Sequence, residues 1–188
     1  MKHIIIETKR LTLIGYTPQD ITYIFETLSK DEIKKRLGHR TDEDYQKEES
    51  KHRNGYTSYN RSFILFLLKE KTSSNIIGRC GLHNWSIEHN RAEIGYKISD
   101  ENFKRKGLMA EAVSAIIEYG FNTLKLQRIE ALVGSDNIPS LKIIENNYFV
   151  KEGLLRNHYL IDNKYEDSIM FSILQNEYIA KYNKTKNR

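Results

Sequence analysis

The chain is 188 residues long, 39% hydrophobic and 29% charged, a length and balance that suit a single domain able to bury a real core. Its net charge of +5 and pI near 9.1 are compatible with a nucleic acid, an acidic protein or a polyanionic small molecule as partner, and charge alone does not choose among them. No apolar run approaches the length of a membrane span, the single Cys80 excludes an internal disulfide, and six scattered histidines without Cys/His pairing at zinc spacing give no metal site.

Only three isoleucines separate Met1-Lys-His from Glu7, so no signal peptide is expected and a reducing cytoplasm is the expected compartment. From Lys9 to Tyr16, Leu11, Leu13 and Gly15 alternate with Thr12, Ile14 and Tyr16, which predicts a first strand. Thr17-Pro18 then supplies a helix cap and a first-turn proline ahead of Ile21, Ile24, Phe25 and Leu28. Residues 31–60 are highly charged, with Ile33, Leu37, Tyr45 and Tyr56 as sparse anchors, a pattern for short helices with an exposed outer face. The apolar run Phe63–Leu68 reads as a buried strand, 71–75 as its turn and Ile76–Trp85 as the antiparallel return. Gly78 and Gly81 mark places for bulges or close backbone approach, while Trp85 and His83 near the strand end read as a packing residue and a surface imidazole.

The most informative stretch runs from Asn90 to Ser114. Ile94, Tyr96 and Ile98 alternate with Glu93, Gly95 and Lys97 as in a half-buried strand. Past Gly107 the period becomes helical, with Leu108, Ala112, Ile116 and Tyr119 on one stripe and Met109, Val113, Ile117 and Gly120 on a second, so this helix is expected to be buried on more than one side. A helix N-terminus entered through glycine exposes unpaired N–H groups and attracts phosphate, and Lys104, Arg105 and Lys106 would strengthen such a site. By pattern alone, the same residues also fit a solvated loop. Downstream, Leu126–Val133 reads as a strand, Ile138, Leu141 and Ile144 as the stripe of a short helix ending at Asn146-Asn147, and Val150–Ile161 with Lys164–Leu174 as a hairpin turning at Asp162-Asn163. Residues 1–180 form one expected domain and 181–188 a polar tail.

Five motifs in order carry a family resemblance. Lys104-Arg-Lys-Gly-Leu-Met-Ala-Glu-Ala112 resembles the acetyl-coenzyme A pyrophosphate loop of the GNAT N-acetyltransferases, in particular the branch that acetylates alanine or serine N-termini of ribosomal proteins. Lys9-Arg-Leu-Thr-Leu13, Glu93-Ile-Gly-Tyr96, the Asn-x-x-Ser turn within Ser135–Ser140, and Glu152-Gly with Asp162–Asp167 resemble, in turn, that branch's opening strand, fourth strand, pantetheine turn and closing hairpin. The resemblance implies an α+β fold, one mixed, mostly antiparallel twisted sheet of about seven strands flanked by helices, splayed between the fourth and fifth strands.

It also implies the cofactor, acetyl-CoA, and the residues that would hold it: Ile94, Gly95 and Tyr96 through backbone N–H groups facing the acetyl carbonyl, Lys104 to Ala110 around the pyrophosphate (Lys104, Arg105, Lys106, Gly107, Leu108, Met109, Ala110), and Asn137 and Ser140 along the pantetheine arm. Glu93 is the implied base, directly or through water, and Ser140, beside the sulfur, the candidate catalytic acid, the alternative being no side-chain acid at all. Three departures are visible: Lys104 and Met109 stand where the family loop favours Arg or Gln and Gly or Ala; Ile144 stands where many branches place a tyrosine acid; and Tyr148-Phe149 replaces Gly-Phe, with Asn147 expected to take the glycine's conformation. The implied acceptor is a protein N-terminus. A small amine (polyamine or aminoglycoside) and a non-catalytic acyl-CoA- or ribosome-binding module stand as the alternatives, with no direct nucleic-acid or membrane contact expected and a monomer or homodimer as the expected state.

Overall fold

The computed structural model describes residues 4–56 and 61–186. The strands are β1 (Ile4–Glu7), β2 (Leu11–Tyr16), β3 (Arg61–Glu70), β4 (Ile76–Ser86), β5 (Arg91–Ile98), β6 (Arg128–Gly134), β7 (Val150–Ile161) and β8 (Lys164–Leu174); the helices are α1 (Pro18–Thr27), α2 (Lys30–Leu37), α3 (Asp42–Asn54), α4 (Leu108–Asn122), α5 (Ile138–Asn146) and α6 (Gln175–Lys186). The strands form one open sheet in the order β1-β2-β3-β4-β5-β6-β8-β7, antiparallel throughout except for β5 and β6.

Three features depart from the sequence expectation. The sheet has eight strands rather than about seven, because Ile4–Glu7 pairs antiparallel with β2 and covers its outer edge. Lys9 and Arg10, read as the start of the first strand, instead lie with Thr8 in the connecting turn, closed by the Thr8 N–H to the Leu11 carbonyl at 2.9 Å. At the other end, residues 181–186 of the polar stretch expected as a tail are carried on α6, and 187–188 lie outside the described residues. No helix among the described residues is long and apolar enough to cross a membrane.

Local chemistry accounts for the helical layer over residues 30–54. Thr17 and Thr41 each open a helix through a reciprocal cap with Asp20 and Asp44, three residues on, and Ser29 opens α2 by donating its N–H and its hydroxyl to the Glu32 carboxylate. Those helices bury few residues, so the caps matter more there than in α4, whose two apolar stripes are covered on both sides as expected. Residues 57–60 of the charged stretch lie outside the described residues.

The sheet separates two cores. Ala112, Val113 and Ile116 of α4 pack with Leu11, Leu13, Phe66, Leu82 and Ile94 on one face, whereas Ile21, Ile24, Ile33 and Leu37 of α1 and α2 pack with Tyr16 and Leu67 on the other. Phe66 and Leu67 fall in different cores because successive strand side chains point to opposite faces. Gly78 and Gly81 are sites of close approach: a Cβ at either would collide with a backbone carbonyl of the next strand, Lys97 O or Ile64 O.

Candidate active site

The site begins where β5 and β6 part. They pair in parallel only at Arg91, Ala92 and Glu93 against Arg128, Ile129 and Glu130; beyond these positions neither strand continues the ladder with the other. The expected splay is therefore present, and it opens toward the C-terminal ends of both strands, the end at which α4 also begins. The closed end is held by charge. Arg91 and Arg128, directly opposite one another, both bind Glu130 (3.0 and 2.8 Å), and Arg128 also grips Glu152 of β7, whose carboxylate accepts from Ser172. The two arginines would repel across the pairing if Glu130 did not lie between them.

A cleft of about 200 Å³ fills the open end, lined by Glu93, Ile94, Gly95 and Tyr96 on one side and by Ala131 to Gly134 with Asn137 and Ser140 on the other. Backbone edges unpaired between the strands give it the donors and acceptors that an extended amide-bearing arm requires. The two polar residues predicted for that arm are both here. Asn137 Oδ1 accepts from the Ser140 N–H at 3.2 Å as the cap of α5, and the Tyr96 hydroxyl reaches the Ser140 carbonyl at 3.4 Å. Burial pushes the Tyr96 hydroxyl up to about 12, against the hydrogen bond to Ser140, so it is a neutral donor at ordinary pH. Ile144 is fully buried in the main core and contributes nothing polar.

Asn147 does not adopt the glycine-like conformation expected of it. Its φ is −93°, and Tyr148 takes the left-handed position at φ +65°. The Asn147 amide is already committed, donating to the Ile143 carbonyl at 2.8 Å and accepting from the Ser114 hydroxyl at 2.7 Å, so the left-handed residue moves one place on.

The predicted phosphate loop ends on Gly107, whose φ of +73° is a conformation that favours glycine. The first α4 hydrogen bond runs from Glu111 N–H to Gly107 O, which leaves the N–H groups of Leu108, Met109 and Ala110 at the helix end without intrahelical acceptors. Of the three cations, Lys104 pairs with Glu101 and Lys106 lies over the Phe103 ring at 5.4 Å; Arg105 and Lys106 have no acidic partner among the described residues. A brace that sequence reasoning missed holds this loop. Arg10 donates to the Lys106 carbonyl at 2.8 Å and to Glu111 at 2.7 Å, and Thr8 donates to the same carboxylate. No local pattern signals it, because β1, β2 and α4 meet only in the folded chain. Three free helix N–H groups, two unpaired cations and a braced glycine turn at the mouth of an extended cleft fit a pyrophosphate and its pantetheine arm.

Glu93 stands at the branch point and is 9% exposed. Its Oε1 lies 3.2 Å from His83 Nε2, and its Oε2 accepts from Asn84 Nδ2 at 2.9 Å. Burial opposes ionisation, but the contacts with His83 and Asn84 and the nearby His158 outweigh it and hold the carboxyl below its ordinary range. His83, read from sequence as a surface imidazole, is opposite Glu93 in the β4–β5 pairing, a relation that becomes visible only once the register of that hairpin is known.

A second cavity, about 480 Å³, lies on the α3 side of the sheet, lined by Glu48, Tyr56, Phe63, Arg79, His83 and Lys97 among others. It shares Gly95 and Tyr96 with the β5–β6 cleft. Glu48 is buried and faces Lys51 and Arg79, both at 3.4 Å, whereas Lys97 has no acidic partner among the described residues. The groove is thus apolar in body and carries more cations than anions.

These features agree with what the chain is similar to. The family model for the acetyltransferase (GNAT) domain matches residues 10–150. The uncharacterized N-acetyltransferase YoaA of Bacillus subtilis (strain 168) is 33% identical over 91% of this chain and 97% of its own length; the uncharacterized N-acetyltransferase p20 of Bacillus licheniformis is 42% identical, but over only 60% of this chain and 63% of its own length. “Putative ribosomal N-acetyltransferase YdaF” of Bacillus subtilis (strain 168) is 31% identical over 55% of this chain and 56% of its own length. A solved structure of mutant forms of the spermidine/spermine N-acetyltransferase SpeG from Vibrio cholerae shares the fold at TM-score 0.66 and 22% identity, covering 92% of this chain and 99% of that one. With its splayed sheet, glycine-entered helix and matched domain, the chain belongs to the GNAT family and is an acetyl-CoA-dependent N-acetyltransferase.

Proposed function

We propose that this enzyme acetylates the N-terminal α-amine of a protein, with ribosomal proteins as the first acceptors to examine. The observation that carries this reading is the meeting of two cavities at Gly95 and Tyr96, one suited to the acyl donor and the other a cation-rich groove with an apolar body. A polyamine would bring several positive charges toward Lys51, Arg79 and Lys97, with Glu48 already shared between two of them. An N-terminal peptide brings one amine, and a nearby cation favours its uncharged form.

The residues divide the work by position. The α4 N-terminus with Arg105 and Lys106 binds the pyrophosphate, Asn137 and Ser140 orient the arm, and the free β5 edge at Ile94 to Tyr96 supplies N–H donors where an oxyanion develops. Acetyl-CoA, when bound, supplies the acetyl group as a thioester. The acceptor must arrive uncharged, which at pH 7 costs about 1 kcal/mol for an α-amine and about 5 for a lysine side chain. Only a modest base is therefore needed. An acetyl-transfer assay over N-terminal peptides, spermidine and an aminoglycoside tests the proposal: preferred turnover of peptides supports it, and turnover confined to either small amine overturns it.

A further inference from the structure

We propose that His83 is the group that takes the proton from the acceptor amine and that Glu93 acts through it as a positioning residue, an inference that rests on the acetyl-transfer reading above. The geometry separates the two residues. Both oxygens of Glu93 are engaged, Oε1 with His83 and Oε2 with Asn84, and Glu93 lines the donor cleft without lining the acceptor groove. His83 lines the acceptor groove, and its side chain is 44% exposed. The ring is seated on Gly95: a Cβ there would come within 2.7 Å of His83 Cε1. The imidazole therefore lies over the backbone that the two cavities share.

The same contact sets the tautomer. With Nε2 directed at a carboxylate, the hydrogen resides on Nε2 and the lone pair on Nδ1. An N–H bond of the acceptor ammonium breaks, its electron pair stays on nitrogen, and the proton joins the Nδ1 lone pair. The imidazolium so formed is stabilised by Glu93 and returns its proton to water through the exposed side of the groove. The neutral nitrogen then forms the new C–N bond as the C–S bond breaks, and the sulfur electron pair takes up the second nitrogen proton. The charged and titratable groups that line the groove with this imidazole are Tyr96 and Lys97 from β5, Arg79 from β4, Glu48 and Lys51 from α3 and Tyr56 just after it, with Glu93 of β5 against Nε2 and His158 of β7 beyond Glu93. The His83 side chain is 44% exposed against 11% for that of Glu93, and imidazole as a side-chain type has its ordinary ionisation nearest neutrality.

The test compares His83→Gln and Glu93→Gln with the unaltered enzyme, on whichever acceptor the assay above identifies, by the pH profile of kcat/KM, acetyl-CoA affinity by calorimetry, and melting temperature. His83→Gln is expected to lower kcat/KM at pH 7 about 100-fold and to abolish the enzyme's acidic limb, leaving cofactor affinity and melting temperature near their starting values. Glu93→Gln is expected to lower kcat/KM about 10-fold while keeping the acidic limb, because the imidazole is still present but no longer held by its carboxylate. An acidic limb retained in His83→Gln and lost in Glu93→Gln would overturn the assignment and make Glu93 the direct base. Because the profile can be measured on a peptide or on a small amine, an error about the acceptor and an error about the base give different results.

Discussion

Arg10 donates its Nε–H to Oε2 of Glu111 at 2.7 Å, joining residues 101 positions apart and fastening the β1–β2 turn to the first turns of α4. Since the same guanidinium also holds the Lys106 carbonyl, the contact fixes the backbone that presents the α4 N–H groups. Arg10 is 43% exposed, so the ion pair itself is worth less than about 1 kcal/mol to stability. Arg10→Ala is expected to weaken acetyl-CoA binding about 3- to 10-fold in calorimetry while lowering the melting temperature only slightly.

Gly107 has room for a side chain, since a Cβ would meet only Arg10 at 3.5 Å, but its φ of +73° strains any β-branched residue. Gly107→Val should therefore distort the loop at a cost of about 1 to 3 kcal/mol and reduce acetyl-CoA affinity at least about 10-fold in a protein that still folds. Unchanged affinity in the folded variant would defeat the phosphate-loop assignment.

Gly95 differs in kind, because the atom in the way of a Cβ is the far side of the His83 ring rather than backbone. Gly95→Ala is expected to displace the imidazole, lowering turnover about 10-fold or more at nearly unchanged acetyl-CoA affinity. Steady-state kinetics alongside calorimetry separate the two quantities.

Asn137 caps α5 through its side-chain oxygen, whereas Ser140 gives that cap its backbone N–H. Asn137→Ala should thus lower stability by about 1 kcal/mol, seen as a lower midpoint in urea, together with weaker cofactor binding. Ser140→Ala leaves the cap intact and should affect turnover modestly with little change in stability.

The Arg128–Glu152 contact predicts a pH signature. The paired guanidinium, with the Ser172 hydroxyl, lowers Glu152 to about 2, below the value of about 4.3 expected in the unfolded chain. A depressed carboxyl stabilises the folded state above the unfolded pKa, and that stability is lost as pH falls from about 4.3 toward 2. Because Glu152 is 39% exposed, the contribution is about 1 kcal/mol rather than the full shift. Glu152→Gln should lower the melting temperature by about 2 to 4 °C at pH 7, a difference that disappears near pH 2 in thermal melts.

Sequence periodicity and short-range chemistry determined much of this protein. The alternation through Glu93–Ile98, the two stripes of α4, the glycine entry at 107 and the Asn137 cap all depend on residues a few positions apart, and all are present in the structure. Ile4–Glu7 escaped notice because four residues carry too little periodic signal to distinguish a strand, and β2 alone provides its partner. The His83–Glu93 contact, the Arg10–Glu111 brace and the two cavities meeting at Gly95 were decided by strand register and by the early parting of β5 from β6. Such pairings join residues with no local pattern in common, because a side chain's partner across a sheet is set by hydrogen-bonded register and by what packs on each face, which only the folded chain specifies.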